Sequence, residues 1–221
     1  MHFLDYDGKV MTFLNTFWNI VWINLLWLVC CIPVFTIGTS TTAAYHTMQK
    51  CVRMNSGYVT KEFFRSFKKN FKHGTVLTFI FGALGIFLAV DCYFFYNSDM
   101  EYALAGLWFS YFLVALLLAV MNWAFPWLAR FELTALQVVK TSLSLSFLHL
   151  AYSVAFLLVD LVLAAGLFCC PWGFLLFPGV KCFIDTFIFN SIVKKYLPKE
   201  EKKDELNEWR VQLEDKDELS Q

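Results

Sequence analysis

Charged residues are scarce in this chain: they make up 16% of its 221 residues, whereas 58% are hydrophobic and 25 are phenylalanine. Soluble domains carry about 25% charged and about 45–50% apolar residues. The excess of apolar side chains needs a solvent other than water, and the obvious one is a lipid bilayer. The shortage of charge therefore argues against a soluble domain and predicts an integral membrane protein.

Motifs for metal binding and catalysis are also missing. The seven cysteines include the neighbours Cys30–Cys31 and Cys169–Cys170, but no C-x2-C spacing occurs. We expect them to act as small hydrophobic side chains. The sequence contains no H-E-x-x-H, no P-loop and no glycine-rich phosphate-binding loop. It therefore predicts a non-enzymatic protein with no metal site and no cofactor.

Five apolar runs reach the ~20 residues that a membrane-spanning helix needs. They are residues 13–37, 75–96, 103–123, 143–169 and 172–193. Two connections are short, so the second and third helices form one hairpin and the fourth and fifth another. The sequence predicts an all-α membrane domain over residues 1–196, followed by a charged cytosolic tail over 197–221.

Lysine and arginine are distributed unevenly among the loops, and in membrane proteins these residues collect on the cytoplasmic side. Sixteen of them fall after the first, third and fifth helices, against one, Lys9, in the other connections. This split predicts a multi-pass protein of the cell membrane with its N-terminus outside and its C-terminus in the cytoplasm. If Pro33 made the first helix re-entrant, the N-terminus would also lie inside.

The segment 60–73 combines aromatic and basic residues at helical spacing. Its members are Phe63, Phe64, Arg65, Phe67, Lys68, Lys69, Phe71 and Lys72. A basic amphipathic helix of this kind lies in the membrane interface with its aromatic side chains in the acyl boundary. Two interpretations stay open, an anchor to anionic lipids and a docking helix for a partner. Binding to nucleic acid is disfavoured, because the aromatic side chains share one face.

An amphipathic segment also precedes the second hairpin. Residues 66–73 and 142–149 share serine, aromatic or leucine, and histidine positions at an offset of 76. Each copy of such an internal repeat would be one cytosolic helix followed by two spanning helices, and many membrane proteins contain repeats.

The stretch 33–45 has the composition of a helix break followed by a new start. Pro33 lacks an N–H and disrupts the helix, and Gly38 is typical of a helix stop. The hydroxyls of Thr39 and Ser40 favour capping of a new helix. The alternative is a polar element that contacts a substrate or re-enters the membrane.

Three charged residues fall inside the last two apolar runs, and such residues are candidate functional sites. Asp160 and Lys181 are equally distant from the turn at 170–171, so an antiparallel hairpin places them at similar depth. Lys181 and Asp185 share a helix face at i, i+4. We expect one buried ionic cluster, which either fixes helix packing or couples a proton or substrate.

Two motifs resemble the YesL family of bacterial membrane proteins, a family of unknown function. The first runs from Asn24-Leu-Leu-Trp-Leu through Pro33 to Thr36-Ile-Gly38-Thr-Ser-Thr-Thr-Ala. The second runs from Gly57 into Phe63-Phe-Arg-Ser-Phe-Lys-Lys-Asn-Phe71-Lys. The resemblance covers about residues 7–196 and does not include the acidic tail.

The resemblance implies an origin in a Gram-positive bacterium and a place among genes for uptake and breakdown of plant polysaccharides, beside sugar ABC importers. We therefore expect an accessory protein for carbohydrate uptake that docks a sugar ABC permease, or a second copy of itself, through its helices and the basic cytosolic segment. The alternative is a small-molecule transporter or channel that uses the ionic cluster. The resemblance supplies no catalytic or ligand-binding residue.

Overall fold

The computed structural model describes residues 9–53, 58–98, 102–131, 133–169 and 177–196, and these ranges contain helices and no β-strand. The predicted tail at 197–221 lies outside them. The helices are α1 Lys9–Cys30, α2 Ile37–Thr47, α3 Val59–Tyr96, α4 Ala103–Arg130, α5 Ala135–Leu148, α6 Leu150–Cys169 and α7 Phe177–Tyr196. A 3-10 turn at Val34–Thr36 precedes α2, and a π-helical turn at Met48–Arg53 follows it.

Two helices of the described chain, α3 and α4, are long and apolar enough to cross a membrane. α5 and α6 meet at an angle of 101°. If they together form one bent span, they provide a third crossing. The chain is thus all-helical over the described ranges, with two or three candidate spans. The arrangement of five spans stays a prediction.

The predicted amphipathic helix at 60–73 is not a separate helix. It forms the first part of α3, which continues without a break for 38 residues from Val59 to Tyr96. At 1.5 Å per residue, α3 is about 57 Å long. The segment is thus continuous with an apolar helix, and its position relative to the membrane interface stays a prediction. We call residues 59–73, the N-terminal part of α3, the basic end.

The proposed second copy has a different shape. The chain bends sharply at His149, between α5 and α6, whereas α3 runs straight through the corresponding position. Burial does recur at the offset of 76, since Ser66 and Asn70 on α3 and Ser142 and Ser146 on α5 are all buried. The internal repeat stays a prediction.

The chain breaks where Pro33 predicts a break. α1 ends at Cys30, and Pro33 stands in extended conformation before the 3-10 turn. The prediction that Gly38 stops a helix is wrong, because Gly38 lies buried inside α2. Glycine here serves close packing rather than helix termination.

The prediction that Thr39 and Ser40 cap a helix is also wrong. Both lie buried inside α2, and the residue before the helix is Thr36. The Thr36 hydroxyl donates to the carbonyl oxygen of Cys30 at 2.6 Å and so stabilises the turn that leaves α1. The Thr39 hydroxyl instead donates to the Phe71 carbonyl oxygen of α3 at 3.2 Å.

Two glycines bring α2 and α3 into backbone contact. A Cβ atom on Gly38 would lie 2.6 Å from the carbonyl oxygen of Gly74, and one on Gly74 would lie 2.7 Å from the Cα of Thr39. Small residues of this kind let two helices approach closely in a membrane protein. At the other end of α2, His46 lies 3.7 Å from Glu62. These contacts make α2 antiparallel to α3.

Contacts of α1 place its later half beside α2 and its middle beside the start of α3. The indole N–H of Trp22 donates to the Thr60 hydroxyl at 2.9 Å, and that of Trp27 donates to the Thr41 hydroxyl at 3.1 Å. Since α2 is antiparallel to both of its neighbours, α1 and α3 run in the same direction. The predicted topology has a first span that starts outside and a second that starts inside, so α1 and α3 would run in opposite directions. The parallel arrangement of α1 and α3 does not fit that topology.

The apolar interior has two parts. The larger lies between α1, α2, α3 and α4 and contains the fully buried side chains of Ile23, Phe63 and Leu77. The smaller surrounds Trp123 on α4, whose ring meets Phe156 of α6 edge-on with centroids 5.4 Å apart. Together they join both halves of the chain through α4.

We predict that Gly74→Ala destabilises the protein by about 1–3 kcal/mol, because the new methyl group meets backbone atoms of Thr39 that cannot move aside. The matched control is Gly82→Ala on the same helix, where a Cβ atom meets nothing within 4 Å. There the removal of a helical glycine stabilises by about 0.5–1 kcal/mol. Thermal unfolding in detergent measures both variants, and equal melting temperatures would contradict the close contact.

Candidate functional site

Three charged side chains meet where α6 and α7 pack. The Lys181 ammonium group donates to Asp160 Oδ1 across the two helices, and it lies 3.3 Å from Asp185 Oδ2 one turn further along α7. The sequence placed Asp160 and Lys181 at similar depth, and the structure brings all three residues of that expectation into contact.

Two neutral residues from other helices complete this ionic cluster. Asn122 on α4 accepts from Lys181 Nζ through Oδ1 at 3.0 Å and donates to Asp160 Oδ2 through Nδ2 at 2.6 Å. The Tyr45 hydroxyl on α2 donates to Asp185 Oδ2 at 2.7 Å. The cluster therefore joins α2, α4, α6 and α7.

Burial differs across the ionic cluster. The Asp185 side chain is 0% exposed, whereas those of Asp160 and Lys181 are 24% and 26% exposed. With both carboxylates ionised, the cluster carries two negative charges against one positive charge. Such a group of ionisable side chains can bind or pass a proton at its exposed edge.

Asn122 and Tyr45 were missed from the sequence. Asn122 is a polar residue within an apolar run, which indicates that its side chain forms a hydrogen bond. The sequence does not indicate whether the partner lies on the same helix or on another one. Tyr45 carries no signal, because tyrosine is common at helix ends in membrane proteins.

We predict that Lys181→Met lowers stability by about 3–5 kcal/mol, because it removes the cation of the ionic cluster and leaves the Asp160 carboxylate unpaired. The double variant with Asp160→Asn recovers part of the loss, since it removes that uncompensated charge. Lys140→Met, at an exposed position of α5, is the control and changes stability by less than about 0.5 kcal/mol. Melting curves that fail to separate Lys181→Met from Lys140→Met would contradict a structural ion pair.

A second cluster of charged side chains lies at the basic end, and we call it the Glu62 group. Glu62 is nearly buried on α3, and its Oε2 lies 3.3 Å from Lys50 Nζ and 3.3 Å from Arg65 Nη2. His46 Nε2 lies 3.7 Å from the same oxygen, and its Nδ1 lies 3.2 Å from the Ala129 carbonyl oxygen of α4. These contacts are ion pairs without good hydrogen-bond geometry, and they hold the basic end of α3 to α2.

The aromatic residues of the basic end divide between two faces of α3. Phe63 is fully buried and Phe67 packs beside it in the interior. Phe64 and Phe71 are each 41% exposed. The expectation of one shared aromatic face is therefore only half right. The exposed face also carries the basic side chains Lys61, Arg65, Lys68, Lys69 and Lys72.

Burial lowers the pKa of His46 below its ordinary value of 6.5, and the nearby Ala129 carbonyl and Glu62 oppose this shift. The unfolded chain then binds the proton more tightly than the folded chain. Stability is fully present above about pH 6.5 and is lost as the pH falls towards the lower, folded-state pKa.

We predict that the melting temperature of the wild type falls more steeply below about pH 6.5 than that of His46→Gln, in which this group cannot titrate. Lys50, Glu62 and Arg65 are present in both proteins, so the difference between the two curves reports on His46. Parallel curves for the two proteins between about pH 7 and about pH 5 would contradict the assignment to His46.

No group of three or more histidine, cysteine, aspartate or glutamate side chains able to hold a metal ion occurs within the described ranges. The five cysteines described there are free thiols.

Comparison with known proteins gives a family without an assigned role. The family described as "Protein of unknown function, DUF624" matches residues 20–92. The chain is also similar to "Uncharacterized protein YteU" of Bacillus subtilis (strain 168), with 26% identity over 161 residues that cover 71% of this chain and 72% of that protein. No solved structure matches the chain.

The DUF624 match is consistent with the resemblance to the YesL family, since it contains both motifs on which that resemblance rests. It includes the contact between Gly38 and Gly74 and the Glu62 group. The ionic cluster of Asp160, Lys181 and Asp185 lies beyond the matched residues.

Proposed function

We propose that this is a non-enzymatic membrane protein that docks a membrane partner through its basic end, as an accessory to carbohydrate uptake. The observation that carries this proposal is the unbroken length of α3. A hydrocarbon core of ~30 Å accommodates about half of a helix of about 57 Å. The N-terminal half of α3 therefore extends beyond the bilayer and presents its basic face to the aqueous phase.

The chemistry of that face favours a protein partner with an acidic surface. Phe64 and Phe71 are exposed among the basic side chains, while Glu62 is buried on the other side. Aromatic residues and arginine are enriched in protein interfaces, where they contribute most of the binding energy. A helix that projects from the membrane offers little of this surface to lipid headgroups, which favours the docking interpretation over the anchor.

The excess of lysine and arginine at the basic end supports a cytoplasmic location for that end and for the C-terminus. Because α1 runs in the same direction as α3, a cytoplasmic start of α1 then follows. The similarity to a Bacillus subtilis protein supports a Gram-positive origin.

The partner is a sugar ABC permease, as the family resemblance implies, with a second copy of this chain as the alternative. The proposal that the permease carries sugar rests on the family resemblance, and the proposal of a contact surface rests on the basic end. Neither YteU nor the DUF624 description names a substrate.

We predict that the double variant Phe64→Asp, Lys68→Glu reduces recovery of a sugar ABC permease by about tenfold in affinity purification from native membranes, with quantification by mass spectrometry. Both side chains are exposed, so folding is preserved. Lys140→Glu reverses an exposed charge on α5 and is the matched control, with wild-type recovery expected. Equal recovery with the double variant, or no permease with the wild type, would sink the proposal.

A small transporter or channel is the second candidate, and the Lys181 contact with two carboxylates is the observation that favours it. Ionisable residues inside membrane proteins commonly mark ion and substrate pathways. Purified protein in liposomes tests this candidate directly, and the absence of flux for protons, sodium ions or sugars in the wild type would remove it.

A further inference from the structure

The most buried part of the ionic cluster holds a carboxylate oxygen without a partner. Asp185 Oδ2 accepts from the Tyr45 hydroxyl at 2.7 Å and lies 3.3 Å from Lys181 Nζ. Asp185 Oδ1 has neither a hydrogen-bond partner among the described residues nor contact with solvent. A buried carboxylate normally needs donors for both oxygens, because a buried and unpaired charge is costly.

The charges of the ionic cluster do not balance when both carboxylates are ionised. Lys181 donates to Asp160, and the second Asp160 oxygen accepts from Asn122 at 2.6 Å. Asp160 thus has a donor for each oxygen and fits the ionised partner of Lys181. The excess negative charge falls on Asp185, which is the more deeply buried of the two.

We infer that Asp185 is a proton-binding site, and that its Oδ1 carries a proton in the folded protein. The proton comes from the aqueous phase and forms an O–H bond on Oδ1, and no electron is transferred. The ionic cluster then consists of one ammonium group, one carboxylate and one neutral acid. A metal ion fits less well, since no set of three acidic, histidine or cysteine ligands occurs in the described part of the chain.

Among the described residues, the surroundings of Asp185 contain one cation, Lys181. Its ionisable neighbours are Tyr45 on α2, Asp160 on α6, and Lys181 and Cys182 on α7. The other elements packed on α7 contribute neutral amides, namely Asn122 of α4, Asn24 of α1 and Gln49 of the π-helical turn. Arg130 reaches α7 at Asn190, more than one turn from Asp185. Lys181 therefore has to serve both carboxylates unless one of them is protonated.

The proton-binding site has an exposed edge and a buried end. Asp160 and Lys181 are about one quarter exposed, so they connect Asp185 with the surface of the bundle. Loss of the proton leaves one uncompensated negative charge between α2 and α7, where Tyr45 joins the two helices. The proton thus controls how firmly α2 packs on α7. This inference is independent of the proposed docking at the basic end.

Infrared spectroscopy of the protein labelled with carbon-13 aspartate tests the protonation directly. We expect a carboxylic acid band that shifts with the label and persists at about pH 7, where a free aspartic acid is ionised. The band disappears in Asp185→Asn and survives in the double variant Asp160→Asn, Lys181→Met, which removes the cation together with its ionised partner. No labelled acid band in the wild type, or a band that survives in Asp185→Asn, would overturn the inference.

Thermal unfolding provides a second measurement. An amide is a neutral isostere of a protonated acid, so Asp185→Asn melts within about 2 °C of the wild type at about pH 7. Asp160→Asn melts clearly lower, because it removes the ionised partner of Lys181. Equal destabilisation by both variants would count against a proton on Asp185. If Asp185→Asn cannot be purified, loss of the acid band in the double variant Asp160→Asn, Lys181→Met overturns the inference and its persistence supports it.

The pH and ion dependence completes the test. A proton held more tightly by the folded chain makes the melting temperature of the wild type fall as the pH rises above about 4, the pKa of an unfolded aspartic acid, and this contribution is absent in Asp185→Asn. All samples are compared in sodium and in potassium buffers at fixed pH. Stabilisation by sodium that vanishes in Asp185→Asn would assign the site to a metal cation and overturn the proton.

Discussion

The backbone contact between Gly38 and Gly74 determines where the polar groups of the protein meet. With no side chain between them, α2 lies directly on α3, and the Gly38 N–H donates to the Thr78 hydroxyl at 2.9 Å. α2 thereby occupies the centre of the bundle with α3, α4 and α7 around it. Its far end then carries Tyr45 to the ionic cluster and His46 to the Glu62 group, so two charged sites depend on one steric constraint.

The two charged sites differ in what surrounds them. The Glu62 group lies at the basic end, where lysine and arginine outnumber acidic side chains and water can screen them. The ionic cluster lies between packed helices, where the cost of desolvating charge is high and is offset by good geometry. Buried charges of this kind contribute little net stability, but they disfavour packings in which the partners are separated. The cluster therefore selects one arrangement of α2, α4, α6 and α7.

Much of the helical content, and the meeting of Asp160 with Lys181, could be predicted, because run length and distance from a turn are properties of the sequence. The partners Asn122 and Tyr45 could not, since they depend on how distant helices pack. Gly38 was misassigned because glycine serves both helix ends and close contacts. The boundary between residues 60–73 and 75–96 was wrong, because a change from basic to apolar composition does not end a helix. The bend at His149 occurs without a glycine or proline in the sequence to indicate it.

The hairpin of α1 and α2 has a consequence for how the chain enters a membrane. It begins and ends at the same end of the bundle, and its tip is the turn around Pro33. If the basic end lies in the cytoplasm, as proposed, a translocon has no need to carry the residues before α1 across the bilayer. Only the tip moves inward, and it carries exposed Ile32, Val34 and Phe35 rather than charge. In that topology the hairpin enters the bilayer from one side, tip first, and the residues before α1 stay on that side.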